Sequence, residues 1–528
     1  MWKNSIIVFI LIASCTLQSC KLDVDDDDKL PGDKFWNSGT PENAESFVLS
    51  IYQALRKATT SNGFYLYSGD FRCAPLTTIP ATKMQPLLDN LMKTYQGNYD
   101  SSQAGTSSEC GAIQNWKQMY TVIQSANIMI EEVENILELS SVEQDAYRVE
   151  CVFLRSLAYF YLVRLFGDVP YYTEAYSSKS LPRTSMQTVL KSCLNDMQAV
   201  IDNDPGQEKL PWRKKGRNLR ANRGAMLTLM MHINMWLAGF DRDNAAAYYG
   251  EVKRLAEIDS WIDGTYYSLL PIEQSSNIFR GESEEGLFEI AQSITDNEIF
   301  ATSHMWSQNV VYEILTKTTP SYIYSKAFLK KLYPMEEGDL FPDDPGTVKD
   351  KRKQYWFKNL FYDEDTGDIL ETSSFNEIEI VKMLNSDKSG STVVANAGNY
   401  IVFRYADAIL LYAEALEKLG DVDKALSEVN RIRERAEASP FTVTGDEYGN
   451  DLEACIYWER VRELMGEGQY FYDLVRTEKL CDANFATFTD GSGHREKRSD
   501  FLQGSWTWPI FKGALDNNPN ISKNLYWE

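Results

Sequence analysis

The stretch Val402-Phe403-Arg404-Tyr405-Ala406-Asp407-Ala408-Ile409-Leu410-Leu411-Tyr412-Ala413-Glu414-Ala415, with Val429-Asn430-Arg431-Ile432-Arg433-Glu434-Arg435-Ala436 after it, decides how this chain folds. Apolar residues recur at helical spacing over 400–419, stop at Gly420, and resume after Asp421 as far as Ala436. That pattern predicts two consecutive helices joined by a glycine turn. Ala413, Ala415, Ala425 and Ala436 place small side chains where two helix backbones must approach closely. The same periodicity predicts a further pair over 452–465 and 470–476, and 501–528 is aromatic and rich in turns.

Working outward, residues 41–57 begin with Pro41 and Glu42 and carry Ala44, Phe47, Val48, Ile51 and Leu55 at near-helical spacing. Residues 113–137 and 142–166 form a second periodic pair, with Ser140-Ser141 as hinge and cap, so an antiparallel helical hairpin is expected. Gly167-Asp168-Val169-Pro170 ends it, because proline cannot continue a helical turn. Further helices are predicted at 185–203, 222–239 and 244–258. Between 261 and 398 turn residues multiply, and Phe288-Glu289-Ile290 and Ile378-Glu379-Ile380-Val381 suggest short strands. Two helices separated by a glycine resemble one tetratricopeptide unit. The fold class expected is therefore mainly α, a tetratricopeptide-like helical superhelix with an irregular lobe of loops and short strands. Five divisions follow: 1–19 a signal peptide, 20–34 a tether, 35–260 an N-terminal helical region, 261–398 an irregular ligand-facing region, and 399–528 C-terminal helices and closing loops.

Lys3 precedes a short apolar run from Ile6 to Ala13, the pattern of a secretory signal peptide, too short to span a bilayer. Leu17-Gln18-Ser19-Cys20 then resembles a bacterial lipobox, which makes Cys20 the expected lipidation site and residue one of the mature chain. Five aspartates between Asp23 and Asp28 cannot pack and form a hydrated leash. Their position resembles a surface-export signal of Bacteroidetes lipoproteins.

The formal net charge is -23, and loss of residues 1–19 removes one lysine and no acid. A field of that sign repels polyanions, so nucleic acid is excluded as a default partner. Neutral glycans or cationic peptides suit it better. The cluster Arg213, Lys214, Lys215, Arg217, Arg220 and Arg223 opposes the overall sign; it is expected to be a solvated loop before a helix, with an acidic-glycan patch as the alternative. Cys73 and Cys110 lie in one polar region where export would permit a bridge, though spacing does not fix pairing. Three histidines, His232, His304 and His494, argue against a zinc site, and neither metal nor cofactor is expected.

The opening stretch and several others together resemble the SusD/RagB family. Phe35-Trp36 with Tyr52, Trp116, Tyr120 and Ala126-Asn127, and Phe153-Leu154-Arg155 through Phe166-Gly167-Asp168-Val169-Pro170 fit in order. So do Glu459-Arg460, Glu463-Leu464, Glu467-Gly468, Tyr472-Asp473-Leu474, Trp508-Pro509 and Asn518-Pro519. The resemblance implies a surface glycan-binding lipoprotein of the outer membrane that serves a SusC-like TonB-dependent transporter without catalysis. In the family, sugar-stacking aromatics come from the loop after the first helix and from the irregular middle. Here those regions offer Tyr95 and Tyr99, and Trp306, Tyr312 and Trp356. Peptide capture, and a scaffold of the transporter complex that binds no ligand, remain open beside this reading.

Arg404, Glu414, Arg433, Glu459 and Arg460 are expected to fix helix docking rather than perform chemistry. Glu459 and Glu463 are one helical turn apart and cannot flank a sugar as a glycosidase pair must. No catalytic residue is assigned. Asp363-Glu364-Asp365-Thr366-Gly367-Asp368 resembles a calcium loop loosely, but its glycine arrives a position early, and a polar hairpin turn is the better expectation.

Overall fold

A computed structural model describes residues 32–37, 39–60, 64–78, 85–93, 113, 115–213, 218–291, 322–336, 339, 348–370, 378–383, 386–389, 392–396, 398–442, 451–486 and 496–528. Its frame is a succession of helices: α1 (Pro41–Thr60), α2 (Lys117–Glu132), α3 (Ser141–Phe166), α4 (Met186–Asp202), α5 (Arg223–Phe240), α6 (Ala245–Glu257), α7 (Tyr405–Lys418), α8 (Val422–Arg435), α9 (Leu452–Glu463) and α10 (Tyr470–Arg476). Most stack on their neighbours in sequence, and α10 packs on α5. α3 packs against α1, α2 and α4; α5 packs on α6, and α7 on α6, α8 and α9.

Local chemistry accounts for these elements. α1 buries the stripe Ala44, Val48, Ile51 and Leu55 and leaves its other face outside. α3 opens with a capping box, in which the Ser140 hydroxyl accepts from the Glu143 N–H at 3.3 Å while the Ser140 N–H donates to the Glu143 carboxylate at 2.9 Å. From Val149 to Phe166 α3 is covered on almost every side. It is the central helix of the N-terminal half. Its end is locked by Arg183, which donates to the carbonyls of Asp168 at 2.7 Å, Phe166 at 2.9 Å and Ser522 at 2.9 Å. The Phe166–Pro170 motif is thereby clamped to the closing arm of the chain.

Short antiparallel ladders interrupt the helices. β1 (Leu76–Thr78) pairs with β3 (Tyr322–Tyr324), β2 (Gly286–Ile290) with β8 (Tyr400–Arg404), β4 (Phe357–Lys358) with β5 (Glu379–Ile380), and β6 (Ser386–Ser389) with β7 (Thr392–Asn396). The expected strands at 288–290 and 378–381 fall in β2 and β5. The helix expected from residue 400 does not begin there. Tyr400-Ile401-Val402-Phe403-Arg404 is a fully buried strand, and α7 starts only at Tyr405. A β-branched and aromatic run fits a ladder once β2 is available to pair with it. Arg404, expected on a helix, therefore closes a strand.

Among the described residues no helix is long and apolar enough to cross a membrane.

Candidate functional site

The β1–β3 ladder joins two parts of the chain that the sequence keeps far apart. Leu76 faces Tyr324, Thr77 faces Ile323 and Thr78 faces Tyr322, so the chain leaves β1 at the end where it enters β3. Residues 85–93 are tied back to the foot of β1 by the Cys73 N–H on the Leu87 carbonyl at 3.2 Å and by Arg72 Nε on Asn90 Oδ1 at 3.3 Å. These contacts form a common root from residues 85–93, which precede the aromatic candidates of 94–112, and from β3, which follows those of 292–321.

The root itself is rigid. Residues Tyr67–Phe71 form a π-helical turn pressed against Gly468. A Cβ on Gly69 would lie 2.1 Å from the Gly468 carbonyl oxygen, so only glycine permits that approach. Asp70 Oδ2 accepts from the Gly468 N–H at 2.5 Å, and Tyr65 stacks on Tyr400 at 4.0 Å. Burial pushes the Asp70 carboxyl up to about 8 against the pull of the Gly468 N–H. Arg72 donates to the carbonyls of Ser505, Trp506 and Thr507 at 2.6, 2.6 and 3.0 Å and lies over the Phe471 ring at 4.4 Å. Burial lowers its guanidinium to about 10.

Beneath this root lies a buried ionic network. Arg404 bonds Glu467 at 2.6 Å, Glu285 at 2.7 Å and Glu463 at 2.8 Å. Arg352 holds Asp350 at 2.8 Å, Glu459 at 2.7 Å and Glu463 at 3.0 Å. Arg433 and Arg462 add to Glu459, Arg435 adds to Glu463, and Lys382 bonds Glu467. A neighbouring knot joins Arg460 to Asp407 and Asp473, Arg476 to Glu414 and Asp473, and His232 to Asp407. Burial alone would raise the Glu463 carboxyl, but Arg435, Arg404 and Arg352 outweigh it and hold it at about 2. Glu459 is driven down in the same way by Arg352, Arg462 and Arg433. Both carboxylates are wholly covered and occupied by guanidinium groups, so no sugar ring can lie between them. The docking role expected of the motif charges is the role they have.

Above the covered stripe of α1, its outer face lines a hollow of about 690 Å³ with Leu49, Tyr52, Arg56, Arg220, Phe288 and Ala291. A smaller one of about 450 Å³ continues along the helix to Thr60. Tyr52 is fixed at both ends of its hydroxyl, donating to Glu150 at 2.7 Å and accepting from the Ala221 N–H at 2.8 Å. Arg220 holds the same Glu150 through two bonds, at 2.8 and 3.0 Å. The hollow opens beside Ala291, where segment 292–321 departs.

The sequence-predicted residues fare unequally. Cys20, Tyr95, Tyr99, Trp306 and Tyr312 lie outside the described residues, as do Cys110 and the basic residues Lys214, Lys215 and Arg217. Trp356 needs correction. It is 1% exposed, donates Nε1–H to Ser275 Oγ at 3.0 Å, and carries the Lys382 ammonium over its ring at 4.3 Å, so it is a core residue and presents no face to a sugar. Of the basic cluster, Arg213 pairs with Glu284, Arg220 with Glu45 and Glu150, and Arg223 with Asp204. The Asp363–Asp368 segment is a hairpin turn: Asp363 Oδ1 accepts from the N–H groups of Asp365 at 3.1 Å and Thr366 at 2.9 Å, and Gly367 takes a left-handed φ of 63°. Among the described residues no cluster of metal-ligating side chains occurs. Tyr52 and Arg56 were missed as groove residues. Their spacing from Glu45 and Leu49 marks a second stripe on α1, beside the buried one, and could have shown them.

A model of the SusD family matches residues 283–527, and one described as starch-binding, associating with the outer membrane, matches residues 79–210. The crystal structure of a SusD homolog from Bacteroides thetaiotaomicron is 44% identical, covers 94% of this chain and 100% of its own, and superposes with a TM-score of 0.82. A SusD-like protein of Formosa agariphila is 25% identical over 99% of both chains. The starch-binding protein SusD of B. thetaiotaomicron is 23% identical over 88% of this chain and 86% of its own. With its helical stack, its motif-built ionic core and end-to-end similarity to a SusD homolog, this chain belongs to the SusD family.

Proposed function

We infer that this protein is a lipoprotein anchored through Cys20 in the outer membrane and facing outward, which binds glycan and delivers it unchanged to a SusC-like TonB-dependent transporter. The observation that carries this reading is the match along nearly its whole length to a SusD homolog. The lipobox ending at Cys20 supports the anchor. The binding surface is built from segments 94–112 and 292–321, with Tyr95, Tyr99, Trp306 and Tyr312 as stacking rings. It is supported by the described residues that flank both segments, which meet around the β1–β3 ladder, and by the hollow beside Ala291. Sugar rings offer apolar faces to aromatic side chains and are released without bond cleavage, as import requires.

Calorimetry on the mature chain carrying Cys20→Ser, against neutral oligosaccharides and cationic peptides, tests the reading. Saccharide binding that weakens at least tenfold when the four rings become alanine, at unchanged melting temperature, is expected. Binding of peptides alone would replace glycan by peptide capture, and sustained release of reducing sugar would make the protein a hydrolase. Loss of radiolabelled palmitate from the Cys20→Ser precursor, and co-purification of the unmutated chain with a TonB-dependent barrel, check the anchor and the partner.

A further inference from the structure

Beside the Ser505–Thr507 stretch that Arg72 holds, the C-terminal ends of α3 and α5 meet the closing arm around another hollow, of about 640 Å³. That volume lies within the range of ligand pockets. Its wall includes Phe240, half-buried at the end of α5, whose ring lies parallel to Phe501 at 6.1 Å and tilts against Trp506 at 5.1 Å. Leu502 and Leu525 stand on the same hollow, 71% and 62% exposed. One exposed leucine needs no account, but two beside a single concavity give it an apolar edge that water covers poorly.

Polar groups complete it. Arg242 and Arg498, each about half exposed, converge on one oxygen of Glu478. Gln503 and Asp243 add amide and carboxylate edges. The base is held firmly: Asn524 donates to the Phe166 carbonyl at 3.0 Å and to Thr507 Oγ1 at 2.8 Å, and the Trp508 N–H bonds the Leu165 carbonyl at 2.7 Å. Asp168, Asp241, Asp243 and Glu478 outnumber Arg242 and Arg498 around the rim, an acidic balance that repels a polyanion. Apolar edges beside planar donors and acceptors suit an uncharged ligand with one greasy face and a border of hydroxyls.

We propose that this hollow is a second binding site for neutral glycan, in addition to the hollow beside Ala291. The proposal rests on the glycan reading above. A polysaccharide long enough to reach both sites binds through two contacts, so its affinity exceeds that of a short oligosaccharide.

The test is calorimetric, on the mature chain carrying Cys20→Ser, with maltohexaose, cellohexaose, xylohexaose and mannohexaose and their parent polysaccharides as probes. The exposed positions allow Leu502→Asp with Leu525→Asp without disturbing the core, and Leu137→Asp, 85% exposed on the turn between α2 and α3, serves as control. Two hexasaccharides per wild-type chain, one per Leu502→Asp/Leu525→Asp chain, and two for the control are expected, with polysaccharide affinity of the double variant lowered by roughly tenfold or more. A single site in the wild type, or two sites surviving in the double variant, overturns the proposal and leaves the glycan reading standing. No saccharide bound by the wild type overturns both.

Discussion

Arg404 ends β8 with its guanidinium wholly buried among Glu285, Glu463 and Glu467. Arg404→Met would keep most of the stem's packing and leave three buried carboxylates each short of a partner. Removing one member of a buried pair costs about 3–5 kcal/mol, because the orphaned charge stays desolvated. Urea unfolding should show a loss of that size; a change under about 1 kcal/mol would mean that the remaining cations re-solvate the site. Asp70 is the opposite case. Its folded-state pKa is raised to about 8 from an ordinary 3.8, chiefly by burial, so the stability it contributes is full below pH 4 and drains away as pH rises to 8. Glu467, Lys382, Tyr65 and Tyr324 surround it. Asn mimics the protonated form, so Asp70→Asn should gain on the wild type between pH 5 and pH 8, by at most about 1.4 kcal/mol per pH unit. Parallel unfolding profiles for the two proteins would show that Asp70 is ionised throughout.

The α2–α3 hairpin shows how far local signals reach. Ser140-Ser141 was legible as a cap because a hydroxyl ahead of a periodic apolar run favours a helix start, and the structure completes it as a capping box with Glu143. Ser140→Ala should therefore cost about 1 kcal/mol in thermal or urea unfolding, and Glu143→Ala on the same background should lower stability further, because the main-chain N–H of residue 140 still donates to the Glu143 carboxylate. No second loss would mean that the carboxylate is held only through the Ser140 hydroxyl. Helices with one covered stripe, such as α1 and α4, were equally readable. The misreading came at 400–404, where every residue is buried and periodicity cannot separate a helical turn from a strand. Only the pairing with β2, distant in sequence, decides it. The three-residue strands β1 and β3 had no signal of their own, for the same reason.

On the scale of the molecule, the residues that made the family legible are those that weld its parts together. Arg404, Glu459, Arg460, Glu463, Glu467 and Asp473 come from β8, α9, α10 and the turn between the last two, and they meet Asp350, Arg352 and Lys382 from the irregular region. Such a network leaves a fixed trace in the sequence because each partner is dictated by another. Ligand-facing rings are dictated only by the ligand, and so Trp356 could be mistaken for one while the groove residue Tyr52 was read as a fold motif. The same welding predicts the response to acid. Glu463 titrates at about 2, and Glu459, Asp407, Asp350 and Asp473 are all held below their ordinary values by neighbouring cations that outweigh burial. Depressed carboxylates contribute stability above their unfolded values near 4, and that stability is lost as pH falls through the folded ones. Far-ultraviolet and near-ultraviolet circular dichroism should therefore stay native at pH 5 and collapse together between about pH 4 and pH 2. Because the pairs are buried, added salt should move that midpoint little. Two separate transitions, one for the N-terminal helices and one for the remainder, would show that the ionic core does not bind the halves into one cooperative unit.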